Sequence, residues 1–205
     1  MIIIVDYGAG NVASIRNMLR KAGFEAEISA RPEAVRSASK LILPGVGHYD
    51  HGMRELHARG LVEALHARVL QERAPILGIC LGVQLFARGS EEGSLPGLGW
   101  IAADVKRFDT ARMGQSLRVP HMGWADVEVT SLHPLLASLP ATPRYYFVHS
   151  YHLVCDAEED VAVRATYGYP FAAGVAHENI CGVQFHPEKS HSFGLKLLEN
   201  FARDL

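Results

Sequence analysis

The sequence predicts one α/β domain over residues 1–205, a sandwich with a mixed, largely parallel central sheet flanked by helices. Two patterns carry that expectation. Over the first eighty or so residues, short continuous apolar runs alternate with segments of helical periodicity. Further along, the alternation becomes period-two, as in antiparallel strands with one face half exposed.

Taken in order, Ile2 to Asp6 is a continuous apolar strand of the kind buried on both faces. Asn11 can cap a helix in which Val12, Ile15, Leu19 and Ala22 recur at helical spacing, and Gly23 ends it. The next strand ends near Ile28 and Ser29. Lys40 to Leu43 reads as another buried strand, helical segments run on to about Leu70, and Pro75 to Ile79 is a third buried strand. Strands alternating with helices imply parallel pairing through right-handed crossovers. Ala125 to Thr130 and parts of Tyr145 to Val154 alternate, and Ile180 to Phe185 is one more strand. The last helix puts Leu197, Leu198, Phe201 and Leu205 on one face, which packs back on the sheet.

Composition narrows the function classes. With 48% hydrophobic and 20% charged residues the chain can bury a proper core. A formal net charge of -2, without basic clusters, argues against nucleic-acid and membrane surfaces. The N-terminal apolar run is short and lacks a basic flank, so it is no signal peptide. The stretch from Ile76 to Ala87, broken by glycines and Gln84, is too short to span a bilayer. Cys80, Cys155 and Cys181 are odd in number and have no C-x-x-C spacing, so neither a disulfide framework nor a zinc site follows. The expectation is a soluble, reduced, cytoplasmic protein.

The chemistry concentrates at Cys80. A buried strand runs into it, Gly78 and Gly82 flank it, and a short apolar helix follows, which is the pattern of a nucleophile elbow with cysteine in the serine position. The glycines suit a sharp turn with close neighbouring backbone. A thiol at a helix N-terminus is biased toward thiolate, and the Leu81 N–H points at the reacting centre. The alternative is a small buried hydrophobe. A cysteine nucleophile needs a histidine base, and that base needs an orienting acceptor. His186 and Glu188 supply both at the end of a strand, where residues two apart point the same way in an extended segment. After the strand ending at Leu43, Gly45 and Gly47 permit a loop that presents N–H groups to an oxyanion, unless it is a plain turn.

Two other patterns weigh less. Gly8 to Ala13 matches the G-x-G-x-x-A dinucleotide fingerprint, but Asp6 lies too near the phosphate position and no ribose-binding acid follows Ile28 and Ser29. His48, Asp50 and His51 could be drawn as metal ligands, yet their loop context suits a solvated or partner-facing segment.

Together, G-I-C-L-G-V-Q at 78–84 and H-P-E at 186–188 resemble the class I glutamine amidotransferases. D-Y-G-A-G-N at 6–11, L-P-G-V-G-H at 43–48, Y-F-V-H-S-Y at 146–151 and H-P-E-K-S at 186–190 are similar to one branch of that family, the glutaminase subunits of imidazole glycerol phosphate synthase. The resemblance implies a Cys80, His186, Glu188 triad that hydrolyses L-glutamine without metal or organic cofactor, with an oxyanion hole at Val46, Gly47 and Leu81. It implies that Gln84, Glu92, Ser150 and Tyr151 hold the amino-acid end of glutamine. It further implies a heterodimer with a (β/α)8 cyclase subunit that receives the ammonia, with Asn11, Trp124 and Lys189 toward the interface. Val83 stands where the family more often has methionine, and Ala125 where it commonly has asparagine. Sibling amidotransferases with other synthase partners, and a non-enzymatic α/β module with an inert Cys80, are the competing readings.

Overall fold

The computed structural model describes residues 1–205. Its parallel half is built from β1 (Ile2–Val5), α1 (Val12–Lys21), β2 (Ala26–Ser29), α2 (Pro32–Ser37), β3 (Lys40–Gly45), α3 (Tyr49–Ala58), α4 (Leu61–His66), β4 (Ile76–Cys80) and α5 (Leu81–Gln84). There follow β5 (Ala103–Arg107), β6 (His121–Val129), β7 (Arg144–His149), β8 (Tyr151–Cys155), β9 (Val161–Tyr167), β10 (Tyr169–His177), β11 (Ile180–Val183) and α6 (His191–Asp204). One mixed sheet runs β2-β1-β3-β4-β11-β10-β9-β6-β7, with β8 pairing β10 and β5 off that path. From β2 to β11 the pairing is parallel, and beyond β11 it is antiparallel.

The apolar runs of β1, β3 and β4 exist because both faces of these strands are covered. Ile3, Val5, Leu41 and Leu43 pack with Tyr49, Met53, Leu56, Leu61 and Leu65 of α3 and α4 on one side. Ile2, Ile4, Ile42, Leu77 and Ile79 pack with Ile15 and Leu19 of α1 and with Leu197, Leu198 and Phe201 of α6 on the other. As expected, the Asn11 side chain accepts from the Ser14 N–H at the start of α1, and Gly23, at φ +87°, follows its end. No helix is long and apolar enough to cross a membrane.

Four elements were not read from the sequence: α2, β5, β9 and β10. The short α2 opens on Pro32 without a side-chain cap, so its signal is weak. The β9–β10 hairpin turns at Gly168, φ +76°. Most of β10 is buried, so its apolar residues do not alternate, and its alanines, Pro170 and Gly174 are poor strand formers.

Register places the reactive ends of two strands side by side, because Gly45 at the end of β3 pairs with Cys80 at the end of β4. The two strands and α5 approach too closely for side chains. A Cβ at Gly82 would lie 1.8 Å from the Leu43 carbonyl oxygen, and one at Gly78 would lie 2.6 Å from Phe86. Gly82→Ala should therefore destabilise the protein by about 3 kcal/mol or more. Gly114→Ala, where an added methyl meets nothing within 4 Å, should stay within about 0.5 kcal/mol of the parent. Chemical denaturation of both variants checks the contrast.

Candidate active site

Cys80 occupies the sharp turn between β4 and α5 at φ 54° and ψ -111°. A residue with a Cβ adopts such a conformation only when its surroundings impose it, at a cost of order 1–3 kcal/mol. Here they do, since β4 is paired on both sides and Gly78 and Gly82 let the turn close against Val83, Phe86 and Leu43. The helix behind the thiol is a single four-residue turn. So short a helix has little dipole to offer the sulfur, less than the sequence pattern suggested.

His186 follows β11, with its N–H donating to the Tyr146 carbonyl at 2.9 Å. Its Nδ1 lies 2.8 Å from Glu188 Oε1, and both side chains are almost fully buried. The pair forms through a 3₁₀ turn at Pro187–Lys189, not through the extended backbone the spacing suggested. Ser190 pins that turn by donating to the His186 carbonyl at 2.6 Å and accepting from the Tyr146 N–H at 3.0 Å. Gly194 of α6 presses on it too, because a Cβ there would lie 1.8 Å from the Pro187 carbonyl oxygen.

Nε2 of His186 is buried and has no hydrogen-bond partner, apart from its approach to Cys80. Burial is the largest single influence on the ring and favours its neutral form. Cys80 and Glu188 on opposite edges together outweigh burial and push the His186 pKa up to about 9. Its neighbours behave oppositely. Burial brings His121 down to about 4 and His149 to about 3. These two rings share a 3.1 Å contact, and His149 Nδ1 meets the Tyr151 carbonyl at 2.8 Å. A neutral pair thus stands beside the one imidazole that keeps its proton.

A cavity of ≈ 370 Å³ opens over the thiol, at the small end of the range for small-molecule sites. Val46, Gly47, Cys80, Leu81, Gln84, Glu92, Ser150, Tyr151 and His186 all line it. Every sequence-predicted catalytic, oxyanion and substrate residue therefore meets there, with Glu188 directly behind His186. The N–H groups of Val46 and Gly47 make no hydrogen bond within the protein, so they are free to serve a ligand. Glu92 spends one oxygen on the Tyr49 N–H at 2.9 Å, which fixes it at the cavity wall. Sequence reasoning missed His149, Pro120 and Gln184. For Gln184 the signal was present, since it lies two residues before His186 at the end of the same strand.

Comparisons with known proteins identify the family. The family model for glutamine amidotransferase class-I matches residues 3–205. The chain belongs to the class I glutamine amidotransferases. It is 47% identical to imidazole glycerol phosphate synthase subunit HisH 2 of Methanococcus maripaludis over 99% of both chains. The protein of that name from Pseudomonas aeruginosa is also 47% identical, over 98% of each. Among solved structures, PurLQS from Thermotoga maritima superposes with a TM-score of 0.72 at 19% identity, covering 98% of this chain and 96% of that one. The glutaminase domain of Trypanosoma brucei CTPS gives 0.66 at 15% identity, covering 98% and 93%. At such identities the likeness speaks for the fold alone.

Other residues of this amidotransferase fall into place around the site. Trp124 is 39% exposed and stacks on His191 at 5.5 Å, so it is not a core residue. It faces Tyr146 across the β6–β7 register, and the Lys189 ammonium lies 5.7 Å from the Tyr146 ring. Asn11 is at the opposite end of α1 from Met18 and Lys21, the α1 residues that border Lys189. The glycine-rich Gly8 to Ala13 turn packs Gly10 against Pro44 and Gly45, where a Cβ would lie 3.1 Å from Pro44. His48 accepts from the Asp50 N–H at the start of α3, and Asp50 accepts from Ser94 and Leu95, so both side chains serve the fold.

Two measurements follow from the geometry. Cys80→Gly should be more stable than Cys80→Ala by about 1 kcal/mol, because glycine relieves the positive φ; equal unfolding midpoints would mean the turn is not strained. The second concerns charge. A histidine pKa raised from 6.5 to about 9 contributes stability that is complete below about 6.5 and is lost as pH rises through about 9. NMR of the His186 ring should show its midpoint near pH 9, and a lower one in Glu188→Gln.

Proposed function

We propose that this chain, as one domain over residues 1–205, is the glutaminase subunit of an imidazole glycerol phosphate synthase. The reading is carried by a strained cysteine and a charged, carboxylate-backed histidine that share one small cavity. Identity of 47% along the full length of subunits with that name supports the branch.

In this reading Cys80 Sγ attacks the side-chain amide carbon of L-glutamine, whose amino-acid end lies toward Gln84, Glu92, Ser150 and Tyr151. The new C–S bond pushes negative charge onto the amide oxygen, which the N–H groups of Leu81, Val46 and Gly47 receive. His186 Nε2 hands its proton to the leaving nitrogen, the C–N bond breaks, and ammonia departs from a glutamyl thioester. Neutral His186 then takes a proton from water as the water attacks the thioester. Collapse of that second adduct releases glutamate and restores the thiolate and the imidazolium. Glu188 keeps the proton on Nδ1 throughout, so that Nε2 does the exchange. No step calls on a metal or an organic cofactor.

Ammonia released here goes to the cyclase subunit. Trp124, Tyr146, Lys189 and the half-exposed Val46 offer that partner an aromatic and basic face beside the cavity. Tryptophan is a frequent interface anchor. Val46 and Gly47, unbonded and with Gly47 at φ +101°, form a peptide segment that can turn as the partner binds.

Cys80→Ala should abolish glutamine hydrolysis, while the complex still makes product from added ammonium at alkaline pH; failure with ammonium in an intact complex would make Cys80 structural. Gating of the oxyanion hole predicts that the isolated subunit is nearly inactive. Ligand-bound cyclase should raise kcat by roughly a hundredfold or more with much less change in KM. Steady-state kinetics on the isolated subunit, the bare complex and the liganded complex check this, and equal turnover in all three would rule gating out.

A further inference from the structure

Gln184 is 1% exposed and takes no part in the steps above. It sits between β11 and His186, with its N–H still bonded to the Ala173 carbonyl at 2.9 Å. Its side-chain amide bridges two groups of the site. Oε1 accepts from Gln84 Nε2 at 2.9 Å, and Nε2 donates to Cys80 Sγ at 3.7 Å.

Donor and acceptor logic fixes the direction of this chain. The Tyr151 carbonyl can only accept, so the Gln84 atom 3.1 Å from it is the nitrogen. That nitrogen requires an acceptor on its other side, which turns the Gln184 oxygen toward it. The Gln184 NH₂ is thereby left facing the sulfur. Glu188 likewise keeps the His186 proton on Nδ1, leaving Nε2 for the thiol proton. The sulfur thus has an amide donor on one side and, on the other, the imidazole nitrogen that takes and holds its proton.

A thiol is a poor acceptor and a thiolate a good one, so a fixed N–H donor favours the ionised nucleophile. We infer that Gln184 is a further catalytic residue, one that donates to the Cys80 sulfur and holds it as thiolate, with Gln84 as the positioning residue that orients this donor from the Tyr151 carbonyl. This rests on the glutaminase reading. It also revises the role that family resemblance implies for Gln84, because the Gln84 amide nitrogen is spent on Tyr151 and Gln184. Since Ser150 and Tyr151 belong to the substrate wall, movement there on glutamine binding reaches the nucleophile through three hydrogen bonds.

The test is the pH dependence of Cys80 alkylation by iodoacetamide on the full chain, read by mass spectrometry of the Cys80 peptide. Loss of one charge-assisted hydrogen bond in Gln184→Met should raise the alkylation midpoint by about one pH unit and slow the reaction roughly tenfold at neutral pH. Gln184→Glu, nearly isosteric, should shift it further the same way, because a carboxylate replaces the donor with negative charge; it carries the test if the methionine variant does not fold. Gln84→Met should give a smaller shift in the same direction. In the liganded complex Gln184→Met should lower kcat roughly tenfold with glutamine KM nearly unchanged. Superimposable alkylation profiles for wild type and both Gln184 variants would overturn the inference. Alkylation needs no glutamine, so this outcome is distinct from failure of the glutaminase reading, which wild-type turnover in the complex reports.

Discussion

The backbone at Cys80 sits at φ 54°, ψ -111°, a conformation no strand or helix would impose, and most of the surrounding structure serves to hold it there. Parallel neighbours pair β4 on both sides up to the turn. Glycines at 78, 82 and 182 remove the side chains that would collide with Phe86, the Leu43 carbonyl and Val83. The result is a thiol lifted out of the sheet at the carboxyl ends of two adjacent strands, beside the loop after β3 that carries the unbonded amides of Val46 and Gly47. Strain stored at such a point is stable only because the core on both faces over-determines it. The catalytic geometry and the core packing are therefore one constraint.

Electrostatics completes what the turn begins. His149 and His186 line the cavity, His121 lies behind His149, and their surroundings separate the three. His121 and His149 lose their charge to burial, whereas His186 keeps its proton because Cys80 and Glu188 flank its two ring edges. Only one imidazole in the cluster is thereby equipped to deliver a proton at neutral pH. The hydrogen-bond path from the Tyr151 carbonyl through Gln84 and Gln184 treats the sulfur in a comparable way from the opposite side. Nucleophile and base are each tuned by groups that never touch the substrate carbonyl.

Much of this was legible in the residues themselves. Buried runs such as Ile2 to Val5 announce parallel strands because both faces are covered, and glycines two residues either side of Cys80 announce close backbone. The hairpin of β9 and β10 was not legible, since burial on both faces erases alternation and its alanines carry no strand preference. Glu188 was found by a rule for extended chains and in fact reaches His186 through a 3₁₀ turn. The same rule applied backwards leads to Gln184, which went unread because an amide near a catalytic pair carries no chemical signature until its partners are known. Trp124 could be assigned to the surface only by its packing, since tryptophans are mostly buried.

Covalent attack by Cys80 is the central step of the proposed reaction, and trapping the intermediate tests it most directly. The assembled complex would be given radiolabelled glutamine, quenched in acid during turnover and digested, and its peptides examined by mass spectrometry. A glutamyl group on the peptide that carries Cys80, absent after Cys80→Ala, is the predicted result. Rapid turnover with no label on that peptide, or with label on another residue, would contradict the account.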